Sequence, residues 1–224
     1  MHTILQTDHY QITLIGDLED SEEKPVFWIP CFLGEGENIW EKRTKPCVLA
    51  CVSGMDWNRD LSPWKAEKVF AKGDDFGGMG EAFLSVLEER LIPMGESRLA
   101  FSVRRRGIAG YSLAGLFAVY AMSRTDQFSL VGSMSGSLWF DGFLEYALET
   151  PISPSVKRLY LSLGDKEKKS RNLRMAQVEA CTEKLAEIWG KETAVRYENN
   201  PGNHFQDPQG RMAKGLDWLS EGCA

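Results

Sequence analysis

Gly107-Ile108-Ala109-Gly110-Tyr111-Ser112-Leu113-Ala114-Gly115-Leu116-Phe117-Ala118 reads as an apolar strand, a sharp turn at Ser112 and an apolar helix that begins at once. The small residues have a steric reason. A serine in a strained strand-to-helix turn has its hydroxyl pushed out above the sheet, and bulky neighbours would strike the adjoining strand and helix. Gly110 stands two residues before it, Ala114 two after, and Gly115 follows. The helix N-terminus behind the serine carries partial positive charge, which favours an oxyanion forming there. So short a motif also suits a tight turn or a helix cap, so its meaning rests on the rest of the chain.

Outward from this block, short runs rich in β-branched and aromatic residues alternate with longer amphipathic stretches. The pattern predicts strands near residues 10–16, 26–31, 47–53, 106–111, 128–134, 157–163 and 193–198, and helices over 80–92, 113–123, 172–189 and 210–220. Such alternation predicts an α/β fold with a mostly parallel central sheet and helices on both faces, and 224 residues suit a single domain, 1–224. The acidic stretch Asp17–Glu23 reads as a solvated connection from an early hairpin to the main sheet. Residues 54–80, with Trp57, Pro63, Trp64 and several glycines, read as a long irregular connection that helps to build a pocket rim.

A serine nucleophile needs a neighbouring base, and the sequence offers only His2, His9 and His204. His2 is terminal and His9 falls in the first hairpin. His204 lies in Asn199-Asn200-Pro201-Gly202-Asn203-His204-Phe205, between the last strand and the last helix, at the same carboxyl edge of the sheet as Ser112. A carboxylate should orient the imidazole. In Leu159-Tyr160-Leu161-Ser162-Leu163-Gly164-Asp165-Lys166-Glu167-Lys168 a strand breaks at Gly164 and releases two acids at that edge, so Asp165 or Glu167 could serve. Ser133-Met134-Ser135-Gly136-Ser137 is a second serine-bearing stretch after a strand, but Leu138-Trp139-Phe140 lacks the small-residue helix start. It reads as a loop where open α/β sheets place ligands, with Trp139 and Phe140 as pocket residues.

Composition excludes several classes. A net charge of -6 leaves no electrostatic footprint for nucleic acid, and Arg104-Arg105-Arg106 reads as a solvated strand entrance. No apolar run is long enough to span a membrane, and residues 1–9 lack the pattern of a secretory signal, so action in the cytoplasm is expected. Cys31, Cys47, Cys51, Cys181 and Cys223 are odd in number and scattered, which predicts free thiols; no metal or other cofactor is implied.

Taken together, these blocks resemble the α/β-hydrolase esterases that include enterochelin esterases, esterase D (S-formylglutathione hydrolase) and the antigen 85 mycolyltransferases. The resemblance runs from about Pro25 to Trp218. Gly110-Tyr111-Ser112-Leu113-Ala114-Gly115 resembles the family's nucleophile elbow, with Ala114 in place of its second glycine. Leu163-Gly164-Asp165-Lys166-Glu167 is similar to its acid loop and Pro201-Gly202-Asn203-His204 to its histidine loop. The order Ser, acid, His is that of the fold, and the family spacing selects Glu167 over Asp165. By the same resemblance, backbone amides of Leu113 and Phe32 form the oxyanion hole. Asp56-Trp57-Asn58-Arg59 falls where enterochelin esterases carry an Arg-containing loop, although its spacing differs, which implicates Trp57 and Arg59 in substrate binding. The implied activity is hydrolysis of a small-molecule ester through a Ser112-His204-Glu167 triad and an acyl-enzyme. Acyl transfer on the same triad and a binding module without catalysis are the alternatives.

Overall fold

A computed structural model describes residues 2–221. Its main sheet contains β1 (His2–Gln6), β2 (Gln11–Ile15), β3 (Val26–Pro30) and β4 (Val48–Ser53), then β7 (Arg106–Tyr111), β8 (Leu130–Met134), β9 (Arg158–Gly164) and β10 (Ala194–Asn200); the two-residue strands β5 (Lys65–Ala66) and β6 (Phe76–Gly77) form a separate ribbon. The main order is β1-β2-β4-β3-β7-β8-β9-β10. Pairings on either side of β2 are antiparallel, and every pairing from β4 to β10 is parallel.

The inner parallel strands are apolar on both faces because helices cover both, whereas the parallel edge strand β10 is mostly polar and only partly buried. In β3, Val26 and Trp28 pack with Ile108, Val131 and Leu159 on one side, while Phe27 and Ile29 pack with Ala109, Met134 and Tyr160 on the other. The first side is covered by α3 (Gly80–Val86), α5 (Leu113–Ala121) and α7 (Val178–Trp189). The second is covered by α1 (Glu35–Lys42) and α8 (Pro208–Ser220), through Ile39, Met212, Leu216 and Leu219. The remaining helices are α2 (Trp57–Asp60), α4 (Ile92–Glu96) and α6 (Phe143–Glu149).

Four elements differ from the sequence reading. The edge strand β1 alternates between exposed and half-buried residues, so it has no strong apolar signature. Helices α1 and α6 are short and begin after left-handed glycines, Gly34 and Gly142, rather than after side-chain caps. The helix expected over 80–92 is α3, a π-helical turn at Leu87–Leu91 and then α4. Pro93 accounts for the wider turn, since its ring clashes with the carbonyl four residues earlier and it has no N–H to donate.

Arg106 pairs with Glu96 at 2.6 Å, while Arg104 and Arg105 face Glu23, so this basic run is answered locally. Cys31, Cys47, Cys51 and Cys181 are free and buried; Cys223 lies outside the described residues. Among those residues, no helix is long and apolar enough to cross a membrane.

Candidate active site

Ser112 terminates β7 and caps α5 with φ 58° and ψ -121°, a conformation rare for a residue with a side chain. Its surroundings hold it there. Ser112 N–H donates to the Met134 carbonyl at 3.1 Å, and the Ser112 carbonyl accepts from Gly115, Leu116 and Ser137. A Cβ at position 110 would collide with the Ala114 backbone and lie 2.6 Å from its Cβ; one at 115 would meet Ser133 Oγ at 2.9 Å and Gly136 Cα at 3.0 Å. The tight approach of strand and helix therefore requires glycine at both positions, whereas the Ala114 methyl is accommodated.

His204 follows β10. Its Nε2 lies 3.0 Å from Ser112 Oγ, and its Nδ1 lies 2.8 Å from Glu167 Oε2. An ionised carboxylate only accepts, so Nδ1 carries the proton and the neutral ring presents Nε2 as acceptor to the serine hydroxyl. Glu167 is 8% exposed. Its Oε1 accepts from Gly164 N–H at 2.6 Å, Ser135 Oγ at 2.7 Å and Arg211 Nη1 at 3.0 Å. Burial alone would raise the Glu167 pKa, but hydrogen bonds from His204, Gly164 and Ser135 outweigh it and hold the carboxyl below its usual range.

Asp165, the other acid, faces elsewhere. Its Oδ1 accepts the Gly202 N–H at 2.8 Å and so ties the acid loop to the histidine loop through the backbone. The competing serines are also placed. Ser133 and Ser135 are buried, and Ser135 serves Glu167, whereas Ser112 is partly open to the cleft.

Arg211 and Tyr111 are the residues that sequence reasoning missed. Arg211, in the second turn of α8, is 3% exposed. One of its nitrogens bonds Glu167, Ser135 and Tyr111 Oη; the other bonds the carbonyls of Pro201 and Asn203 at 3.0 and 2.9 Å. Tyr111 Oη donates to the His204 carbonyl at 2.6 Å. A single guanidinium thus fastens both loops that meet at the imidazole. On a helix pattern Arg211 reads as one more polar-face residue, and the only available signal is its place seven residues after His204.

Trp57, Phe70, Phe76, Trp139 and Phe205 supply the aromatic wall of the cleft over Ser112. The expected irregular segment forms much of this wall. Trp57 and Trp139 are among the lining residues, but Arg59 is not: its guanidinium lies on the buried Asp60 carboxylate at 2.8 Å, which needs a cation more than the open cleft does. Phe140 is buried beneath the wall, edge-on to Phe76. Leu113 N–H is a first-turn amide of α5, which the helix leaves without an intrahelical acceptor. Phe32, whose ring stacks on Trp57 at 4.4 Å, has its N–H engaged by Glu35 Oε2 at 3.0 Å.

Comparison with known proteins gives both sequence and structural matches. The sequence profile of the family described as "Putative esterase" matches residues 34–207. The uncharacterized protein YbbA of Bacillus subtilis (strain 168) is 30% identical over 130 residues, which cover 57% of this chain and 52% of that protein, so the match spans about half the length of that curated relative. Among solved structures, an IroE-like serine hydrolase from Shewanella oneidensis is similar with a TM-score of 0.78 at 16% identity, covering 99% of this chain and 80% of that one. The siderophore hydrolase EstB from Aspergillus nidulans is similar with a TM-score of 0.72 at 19% identity, covering 99% and 95%. At such identities the structural likeness is one of fold.

Proposed function

This chain belongs to the Esterase family and has the α/β-hydrolase fold, and from that premise we propose that it hydrolyses carboxylic esters with Ser112 as nucleophile, His204 as general base and Glu167 as orienting acid. The observation that carries the reading is the imidazole held between Ser112 Oγ at 3.0 Å and Glu167 at 2.8 Å. His204 takes the Ser112 proton as the oxygen attacks the ester carbonyl, and the imidazolium is stabilised by the Glu167 carboxylate. The tetrahedral oxyanion is held by Leu113 N–H at the start of α5 and by Phe32 N–H once the Glu35 side chain turns aside. His204 then protonates the departing alcohol, and water, deprotonated by the same ring, releases the acid from Ser112.

The strained turn at Ser112 supports this role, since backbone strain of this kind persists where a site demands it. The aromatic wall suits an apolar or flat acyl group, with Trp57 and Trp139 as binding residues. Siderophore esters are one substrate class suggested by the named structural relatives, although Arg59 is engaged with Asp60. The whole chain is read as one catalytic domain that needs no cofactor, and its buried free thiols suit the reducing cytoplasm. The test is steady-state hydrolysis of a phenyl ester. Ser112→Ala and His204→Ala should each lower kcat by about 10³-fold or more; turnover by Ser112→Ala at the rate of the unsubstituted protein refutes the assignment.

A further inference from the structure

Past His204 the cleft continues into a second basin, lined by Trp139, Lys166, Lys169, Ser170, Asn203 and Phe205 among others. Its charge runs against that of the acidic chain. Among the described residues the only carboxylate lining it is Glu167, which is turned to His204 and Arg211.

The run Asp165-Lys166-Glu167-Lys168-Lys169 explains the excess of positive charge. Asp165 is engaged by Gly202 N–H, and Lys168 pairs with Glu179 at 2.7 Å. Neither Lys166 nor Lys169 forms an ion pair among the described residues. Residues Glu167–Lys169 form a 3₁₀ turn, with Lys169 N–H bonded to the Lys166 carbonyl at 3.1 Å. A three-residue repeat brings i and i+3 into line, so Lys166 and Lys169 share one side of the turn while Glu167 points into the protein.

Proton transfer decides which part of an ester meets these lysines. His204 Nε2 takes the serine proton and must hand it to the departing oxygen, so the alcohol portion lies over the imidazole. The first basin contains Ser112 and Leu113, where the carbonyl and its oxyanion belong, together with the aromatic wall for the acyl group. The second touches His204 but neither Ser112 nor Leu113. Resting on the esterase reading above, we propose that Lys166 and Lys169 form an anion subsite for the leaving group, and that the preferred substrates are esters whose alcohol portion carries a carboxylate.

The experiment compares two benzoate esters that differ only in charge, those of glycolate and of glycolamide, by following benzoate release at low salt. The unsubstituted protein should favour the glycolate ester in kcat/KM by about fivefold to tenfold, as expected for two exposed charge pairs. In Lys166→Ala/Lys169→Ala that ratio should fall to about one, and salt should reduce it in the unsubstituted protein. A ratio near one in the unsubstituted protein, or one that the double substitution leaves intact, overturns the proposal. So does a charge preference found instead for a monobenzyl ester of succinate, with the anion on the acyl side, and lost in Lys68→Ala, which removes the lysine that lines the first basin. No turnover of the glycolate ester while a fluorophosphonate still labels Ser112 also overturns the anion subsite alone. Failure of that labelling overturns the serine-esterase reading beneath it.

Discussion

Glu167 and Asp165 sit two residues apart on one loop, yet only Glu167 reaches the imidazole, while Asp165 holds a backbone amide of the facing loop. Glu167→Gln should therefore cut kcat by orders of magnitude, since a neutral amide neither stabilises imidazolium nor fixes the tautomer. Asp165→Asn should lower kcat less than threefold; a reversed pattern in steady-state kinetics moves the acid to Asp165. Arg211 is a positioning residue in this account. Arg211→Met leaves Glu167 buried without its cation and should lower stability by about 3 kcal/mol in denaturant unfolding. Under folded conditions it should lower kcat at least tenfold with KM little changed, with partial recovery in Arg211→Lys. An Arg211→Met protein with unaltered kcat removes Arg211 from the catalytic geometry. Ser112, His204 and the two acids were legible because each lies at a break between strand and helix, where small or turn-forming residues mark the position. Arg211 was not, because the long-range loop contacts that bury it leave no local pattern.

Among the elements, the elbow from β7 into α5 was the most legible, since its glycines answer a steric demand at the next turn of chain. Gly110→Ala drives a methyl group into the Ala114 backbone. It should cost about 1–3 kcal/mol, the usual penalty of overpacking, and move Ser112 away from His204. Ala114→Gly, by contrast, should keep activity within a fewfold. Thermal unfolding together with ester turnover checks both, and an active Gly110→Ala protein of undiminished Tm contradicts the elbow account. The edge strand β1 and helices α1 and α6 were harder to read. Each is short, and each is fixed by what it packs against more than by its own periodicity. The segment from 54 to 80 lines the cleft as its composition implies, but it also contains α2 and the β5–β6 ribbon, elements too short to carry a hydrophobic period.

Across the whole molecule, the candidate site is assembled from loops after β7, β8, β9 and β10, so the proposed chemistry depends on the parallel register that brings these ends to one edge. The same assembly links folding to pH. Because the Glu167 carboxyl is held below its usual 4.5, its charge stabilises the fold above that value, and the contribution is lost as pH falls through its folded pKa. Glu167→Gln should accordingly lose less Tm between pH 6 and pH 3 than the unsubstituted protein; parallel curves would show that Glu167 does not carry this part of the acid response. The direct test of the central claim is reaction with a fluorophosphonate followed by peptide mapping. The account predicts one adduct, on Ser112, formed rapidly in the native protein and suppressed by at least about 10³-fold in His204→Ala. An adduct on Ser133, Ser135 or Ser137, or labelling of Ser112 that is indifferent to His204, would contradict it.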